Sequence, residues 1–156
     1  MSVEFKDFSM QVKAALEEKA IQFLHEASGE MVAQVARNID TAKANDTGQL
    51  KNSFTFKIDE GKLKATIGSP LENAIWTEFG TGEYALKGNG RKGGWYVPSE
   101  KLSSKAKSKM QKRIVKGKEY YFTRGKKPVR MFHNAYNTMK PKIIKMGQQK
   151  FKELGK

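Results

Sequence analysis

A chain of 156 residues with nine phenylalanines and 38% hydrophobic residues can bury roughly 70% of its unfolded surface, so residues 1–156 are expected to fold as a single domain without disulfide or metal. There is no cysteine and there are only two histidines, His25 and His133, which removes thiol nucleophiles, zinc ribbons, iron–sulfur sites and His-rich metal sites. The net charge of +14 suggests a polyanionic partner, yet it is unevenly placed: nine basic against twelve acidic residues in 1–80, fifteen against three in 81–130, and six against one in 131–156.

Phe5, Phe8, Val12, Leu16, Phe23, Leu24, Ala27, Met31, Val35 and Ile39 recur at three- and four-residue steps, which predicts a helix from about Asp7 to Asn38. Glu4, Asp7, Glu17, Glu18, Glu26 and Glu30 interrupt this stretch, so neither a leader core nor a membrane span is expected in it. Gly29 costs about 1 kcal/mol relative to alanine inside a helix and is expected to kink or break it. Residues 41–48 (TAKANDTG) read as a loop.

A hairpin follows. Phe54, Phe56 and Ile58 alternate with polar residues, as do Leu63, Ala65 and Ile67. Asp59-Glu60-Gly61 reads as its turn, with Gly61 taking positive φ. Ser69-Pro70-Leu71-Glu72 reads as the capped start of a short helix, Ser69 and Glu72 forming a capping box. That helix carries Leu71, Ile75, Trp76 and Phe79 and stops at Gly80. If Trp76 and Phe79 pack it onto the sheet, Trp76→Ala costs about 3–5 kcal/mol. If not, Trp76 belongs to an interface.

Residues 82–128 read as an extended basic loop and hairpin region. Residues 81–94 are glycine-rich and expected to be mobile, Trp95-Tyr96-Val97 is a strand ended by Pro98, and 99–112 are polar and basic. Ile114-Val115 and Tyr120-Tyr121-Phe122 flank Lys116-Gly117-Lys118 as a second hairpin. A last helix is expected from Met131 to Leu154 on Phe132, Ala135, Tyr136, Met139, Ile143 and Met146, bent or restarted at Pro141. Helices at both ends around a β-rich centre predict an α+β fold, with an antiparallel sheet packed against long N-terminal and C-terminal helices.

Two motifs suggest chemistry that their contexts withhold. Asp46-Thr47-Gly48 matches an aspartic-protease triplet, but the polar Lys43-Ala44-Asn45 precedes it where an apolar strand is needed. Gly88-x-Gly90-x-x-Gly93 matches a dinucleotide fingerprint without the strand before it or the helix after it. Glu72, Glu78 and Glu83 make no acid pair; Glu78 beside a helix end can equally bind backbone amides. No catalytic residue, cofactor site or metal site is assigned. The strongest compositional signal is Lys101, Lys105, Lys107, Lys109, Lys112, Arg113, Lys116 and Lys118, followed by Tyr120 and Tyr121. Lysine-dominated clusters contact phosphate charge rather than base edges, or else form a solvated loop.

Three blocks in order carry a family resemblance. Asp46-Thr47-Gly48-Gln49-Leu50-Lys51-Asn52-Ser53 resembles D-T-G-x-L-x-x-S, and Asn73-Ala74-Ile75-Trp76-Thr77-Glu78-Phe79-Gly80-Thr81-Gly82 resembles Y-A-x-x-x-E-F-G-T-G. Lys127-Pro128-Val129-Arg130-Met131-Phe132-His133-Asn134-Ala135 resembles K-P-x-P-F-L-x-x-A. The chain departs at Asn73, Val129 and Met131-Phe132, and in a longer segment between Gly82 and Pro128. The family is the small neck or tail-completion proteins of long-tailed double-stranded-DNA bacteriophages. The resemblance implies a non-catalytic virion protein of the head–tail junction, present in the host cytoplasm during assembly. It implies a ring of like subunits, six-fold in the virion, between a head-closure or connector protein and a tail-terminator or tail-tube protein. Phage DNA passes the lumen; no cofactor, small-molecule substrate or membrane is implied. Non-specific DNA binding through residues 81–130 is the alternative.

Overall fold

In a computed structural model the described residues are 7–44 and 48–152. The expectations for Phe5, Asp46, Thr47 and Leu154 lie outside them. The fold is α+β as expected, with two separate antiparallel sheets in place of one. The chain gathers into two compact units, Met1–Gln34 with Thr55–Gly68 and Ala135–Lys156, and Val35–Phe54 with Ser69–Asn134.

The first unit holds most of α1 (Ser9–Thr41), the β1 (Thr55–Asp59) and β2 (Lys64–Gly68) hairpin, and most of α5 (Met131–Lys152). Asp7 starts α1 by accepting the Ser9 amide at 2.8 Å, a bond that lowers its carboxyl pKa. Helix α1 runs through Gly29 without the break that was one of the two expectations there. A penalty of about 1 kcal/mol is small beside the burial of neighbouring Ala27, Ser28 and Met31. Phe23 meets Phe151 with ring centroids 6.3 Å apart, and a Cβ on Gly147 would lie 3.3 Å from the Phe23 ring, so Gly147 lets α5 approach α1. Lys150 pairs with Glu26 at 2.5 Å beside that contact. Helix α5 is also continuous through Pro141, with no restart.

The hairpin register pairs Phe56 with Ile67 and Ile58 with Ala65 on one half-buried face, as the alternation predicts. Phe56 sets its edge against the His25 ring at 5.9 Å. The turn is corrected: it spans Glu60–Leu63, and Leu63 rather than Gly61 takes positive φ (47°). Asp59 Oδ1 accepts the Lys62 amide (3.1 Å), which winds the chain through Gly61 without a left-handed residue there.

In the second unit, the end of α1 buries Val35 and Ile39 completely, together with Leu50, Phe54 and Met131. Asn38 donates from Nδ2 to the Met131 carbonyl at 2.8 Å. A four-residue helix α2 (Gln49–Asn52), not foreseen, begins after Gly48 at φ 79°. Helix α3 (Glu72–Phe79) starts without the expected capping box: Leu71 is the cap residue, and the Ser69 hydroxyl accepts the Leu71 amide (3.1 Å) and meets the Ser53 hydroxyl (2.6 Å). Its buried side chains are Ala74 and Thr77, so Trp76 and Phe79 do not pack into the core. Strands β3 (Trp95–Pro98), β4 (Gln111–Val115) and β5 (Lys118–Thr123) form a sheet of order β3-β5-β4. The hairpin expected around Lys116-Gly117-Lys118 is present, with a two-residue turn: Lys116 and Gly117 both take positive φ (50° and 74°) and Lys118 already opens β5. Residues 99–112, read as polar and basic, contain a 3-10 turn at Ser99–Lys101 and helix α4 (Ser104–Lys107), capped by the Ser103 hydroxyl.

Candidate assembly surface

Helix α5 begins at Met131, and the preceding Val129-Arg130 offers no side-chain oxygen to its first amides. The acceptor comes from 54 residues upstream: Glu78, at the end of α3, takes the Phe132 amide on one carboxylate oxygen (2.8 Å) and the His133 amide on the other (3.1 Å). A carboxylate at the positive end of a helix satisfies two orphan donors and the dipole together. The segment after Glu78 is held just as closely. Val129 donates to the Thr77 carbonyl (2.8 Å), Thr81 to the Lys126 carbonyl (2.9 Å), Glu83 to the Arg124 carbonyl (2.9 Å), and the Lys126 amide to Thr81 Oγ1 (2.9 Å).

Two glycines make this approach possible. Gly80, at φ 73° and ψ 173°, occupies a region reserved for glycine, and a Cβ there would lie 2.9 Å from the Lys126 carbonyl oxygen. A Cβ on Gly82 would lie 2.3 Å from the Arg124 carbonyl oxygen and 2.7 Å from the Trp95 ring. Residues 82–94, expected to be mobile, are therefore pinned at Gly82, and again at Gly94, whose Cβ would lie 2.5 Å from Phe122. The E-F-G-T-G and K-P-V-R-M-F blocks thus bind each other. Glu78 serves as a helix cap, Thr81 as a bridge, and Gly80 and Gly82 as crossing points.

Beside this clamp lies a cleft of about 500 Å³. Trp76, Trp95, Val97, Leu102 and Met110 line it with apolar surface, and Lys43, Lys105, Lys109 and Lys126 bring four cations. No carboxylate lines it among the described residues. Lys126 donates from Nζ to Thr77 Oγ1 (2.8 Å), whose hydroxyl donates to the Asn73 carbonyl (2.8 Å); burial of the ammonium pushes the Lys126 pKa down. On α3, Ile75, Trp76 and Phe79 stay 61%, 48% and 44% exposed. An exposed apolar group of this size is a candidate for a binding surface.

Residues 4–80 match the family model described as Bacteriophage HK97-gp10, putative tail-component. Over those residues the chain is HK97-gp10-like. Neither a curated protein nor a solved structure matches it. The match supports a structural, tail-related role in a phage virion. The matched HK97-gp10-like stretch ends at Gly80, so it contains Glu78 but not the Lys126–His133 segment that Glu78 and its neighbours hold.

The remaining motif residues are placed as follows. Gly48 precedes α2, Leu50 is buried, and Ser53 donates to the Leu50 carbonyl (2.7 Å). Phe79 is exposed under the Lys87 ammonium (5.6 Å), Pro128 lies against Gly80, Phe132 is half-buried and Ala135 fully buried. The eight singled-out cations do not form one stripe. Lys101 sits on the 3-10 turn, Lys105 and Lys107 on α4, Lys109 just beyond it, Lys112 and Arg113 on β4, Lys116 in the turn and Lys118 at the start of β5. Lys112 and Arg113 are adjacent on a strand and therefore point to opposite faces. Lys112 pairs with Glu119, which raises the lysine pKa and lowers that of the carboxyl, while Arg113 stacks 5.4 Å over Tyr96. Of the eight, only Lys105 and Lys109 reach the cleft. Its other cations, Lys43 and Lys126, escaped the sequence reading because neither belongs to the 101–118 run.

Proposed function

We propose that the chain is a structural protein of the phage head–tail junction, a neck or tail-completion ring component that helps join the tail to the DNA-filled head. The observation that carries the reading is the use of Glu78: the motif carboxylate is committed to two backbone amides and holds together two of the blocks that carry the resemblance. A carboxylate so engaged positions a helix, and the exposed Ile75, Trp76 and Phe79 beside it supply a surface for neighbouring subunits. In this reading the partners are further copies in a six-fold ring, a head-closure or connector protein, and a tail-terminator or tail-tube protein, with DNA passing through the lumen. Residues 1–156 act as one functional domain.

The test is a phage in which this gene carries an early stop. DNA-filled heads and complete tails that accumulate separately, and join when the purified protein is added to the mixed lysate, support the reading. Absent or wrong-length tails, or joined particles, refute the junction role. The second reading, non-specific DNA binding, is favoured by fifteen basic against three acidic residues over 81–130. It predicts steeply salt-dependent duplex binding without ring formation.

A further inference from the structure

The sheet of β3, β5 and β4 divides its rings and its charges unequally between two faces. Strand pairing sets Tyr96, Phe122 and Gln111 side by side in one row, and Pro98, Tyr120 and Arg113 in the next, with Lys118 beyond them on the same face. Tyr96 is 43% exposed, meets the Phe122 ring edge-on at 5.3 Å and has the Arg113 guanidinium 5.4 Å over its own ring. Past Phe122 this face runs into a groove of about 390 Å³, lined among others by Tyr84, Lys109, Gln111 and Arg124. Lys127 lies 5.7 Å over the Tyr84 ring. Residues 81–130 hold three carboxylates. Glu119 is on the opposite face of the sheet and pairs with Lys112, Glu83 pairs with Arg124 at 3.2 Å, and Glu100 sits on the 3-10 turn after β3. Lys109, Arg113, Lys118 and Lys127 therefore have no ion-pair partner among the described residues.

We propose that this face binds single-stranded DNA, with bases stacked on Tyr96 and Tyr84 and phosphates held by Arg113, Lys118 and Lys109. The inference deepens the DNA-binding reading and rests on it, adding the site and the form of the nucleic acid. Charge complementarity calls for a polyanion, and the exposed rings choose among polyanions. A duplex meets the cations but shows only base edges in its grooves, so its base faces stay out of reach of rings on a sheet. An acidic peptide meets the cations and leaves the rings without a planar partner. A second copy of the same face sets cation against cation. A single strand brings phosphate charge and free base faces together, and stacking accepts any sequence because every base has a π-face.

Fluorescence anisotropy with the full chain tests this, using a labelled oligothymidylate of about 20 nucleotides and a duplex of the same length. At equal salt the strand should bind at least about tenfold tighter than the duplex, and Tyr96→Ala should weaken the strand about tenfold. Arg113→Ala should reduce the slope of log affinity against log salt by about 0.7, the value for one phosphate contact on a single strand. Lys142→Ala removes the same charge from the exposed surface of α5 and should change neither quantity. A photoreactive strand carrying 5-iododeoxyuridine, irradiated with wild-type protein, should attach to Tyr84, Tyr96 or Phe122, a readout that needs no variant to fold. Cross-links to Trp76 or Trp95 in the cleft, a Lys142→Ala loss equal to that of Arg113→Ala, or tighter binding of oligouridylate or polyglutamate each overturn the proposal. Duplex binding with no preference for the strand leaves the DNA-binding reading standing and removes this site. No binding of either DNA removes both.

Discussion

Glu78→Ala removes the acceptor for two amides at the start of a 22-residue helix. A side-chain acceptor at a helix start contributes about 0.5–2 kcal/mol, and a negative charge there adds about 0.3–1 kcal/mol. Glu78 is half-buried, which limits water's ability to replace the carboxylate, so about 2 kcal/mol is expected from its loss. Glu78→Gln keeps one acceptor oxygen and loses the charge, and should cost about 1 kcal/mol. For a chain of this length 1 kcal/mol moves the melting temperature by about 2–4 °C. Alanine should therefore lower it by about 4–8 °C and glutamine by about half as much. Calorimetry measures the shift, and hydrogen exchange locates it: the Phe132 and His133 amides should exchange faster than those of β1 and β2. An alanine variant that melts within about 1 °C of wild type, with unchanged exchange at those amides, would refute the cap. Lost assembly in such a variant would make Glu78 an interface group instead.

Other outcomes follow from the same contacts. Gly82→Ala sets a Cβ 2.3 Å from a carbonyl oxygen at φ 60°, and should destabilise by more than about 2 kcal/mol in urea unfolding, beyond the about 1 kcal/mol of a left-handed alanine alone. Trp76→Ala should cost only about 1.5–2.5 kcal/mol, because a 48% exposed indole contributes about half of what a buried one does; oligomers or head–tail joining should fail first, and unfolding at room temperature would contradict this. Lys126 has its folded pKa depressed by burial, so the unfolded chain binds more protons between that value and the ordinary 10.5. The group therefore opposes folding below this window, and the opposition fades as pH rises through it. Lys126→Met should keep or raise stability near neutral pH and remove that alkaline gain in pH-dependent melts.

The helices and strands were legible because their signals are local. Period-two alternation set which residues of 56–58 and 65–67 share the half-buried face, whereas Leu63, read as part of that face, lies exposed in the turn. Breakers misled where tertiary packing opposed them. Gly29 and Pro141 each carry a penalty of a few kcal/mol at most, and helices α1 and α5 pass through both. Capping misled as well: Ser69 and Glu72 have the right spacing, yet the Ser69 hydroxyl meets Ser53, sixteen residues away, as well as the Leu71 amide.

By itself, the sequence determined the α+β class, the hairpin faces, the concentration of charge in 81–130 and a resemblance that the HK97-gp10-like match over 4–80 supports. All of these are written in residue type and short-range spacing. Only the tertiary structure decided what the motif residues do and which surface is free. Glu78 reaches a helix start 54 residues later, Gly82 lets the Arg124 backbone approach closer than any side chain would allow, and α3 turns Ala74 and Thr77 inward so that Trp76 and Phe79 face out. Such outcomes depend on which backbone groups lack partners once the chain is compact, and no local pattern encodes that.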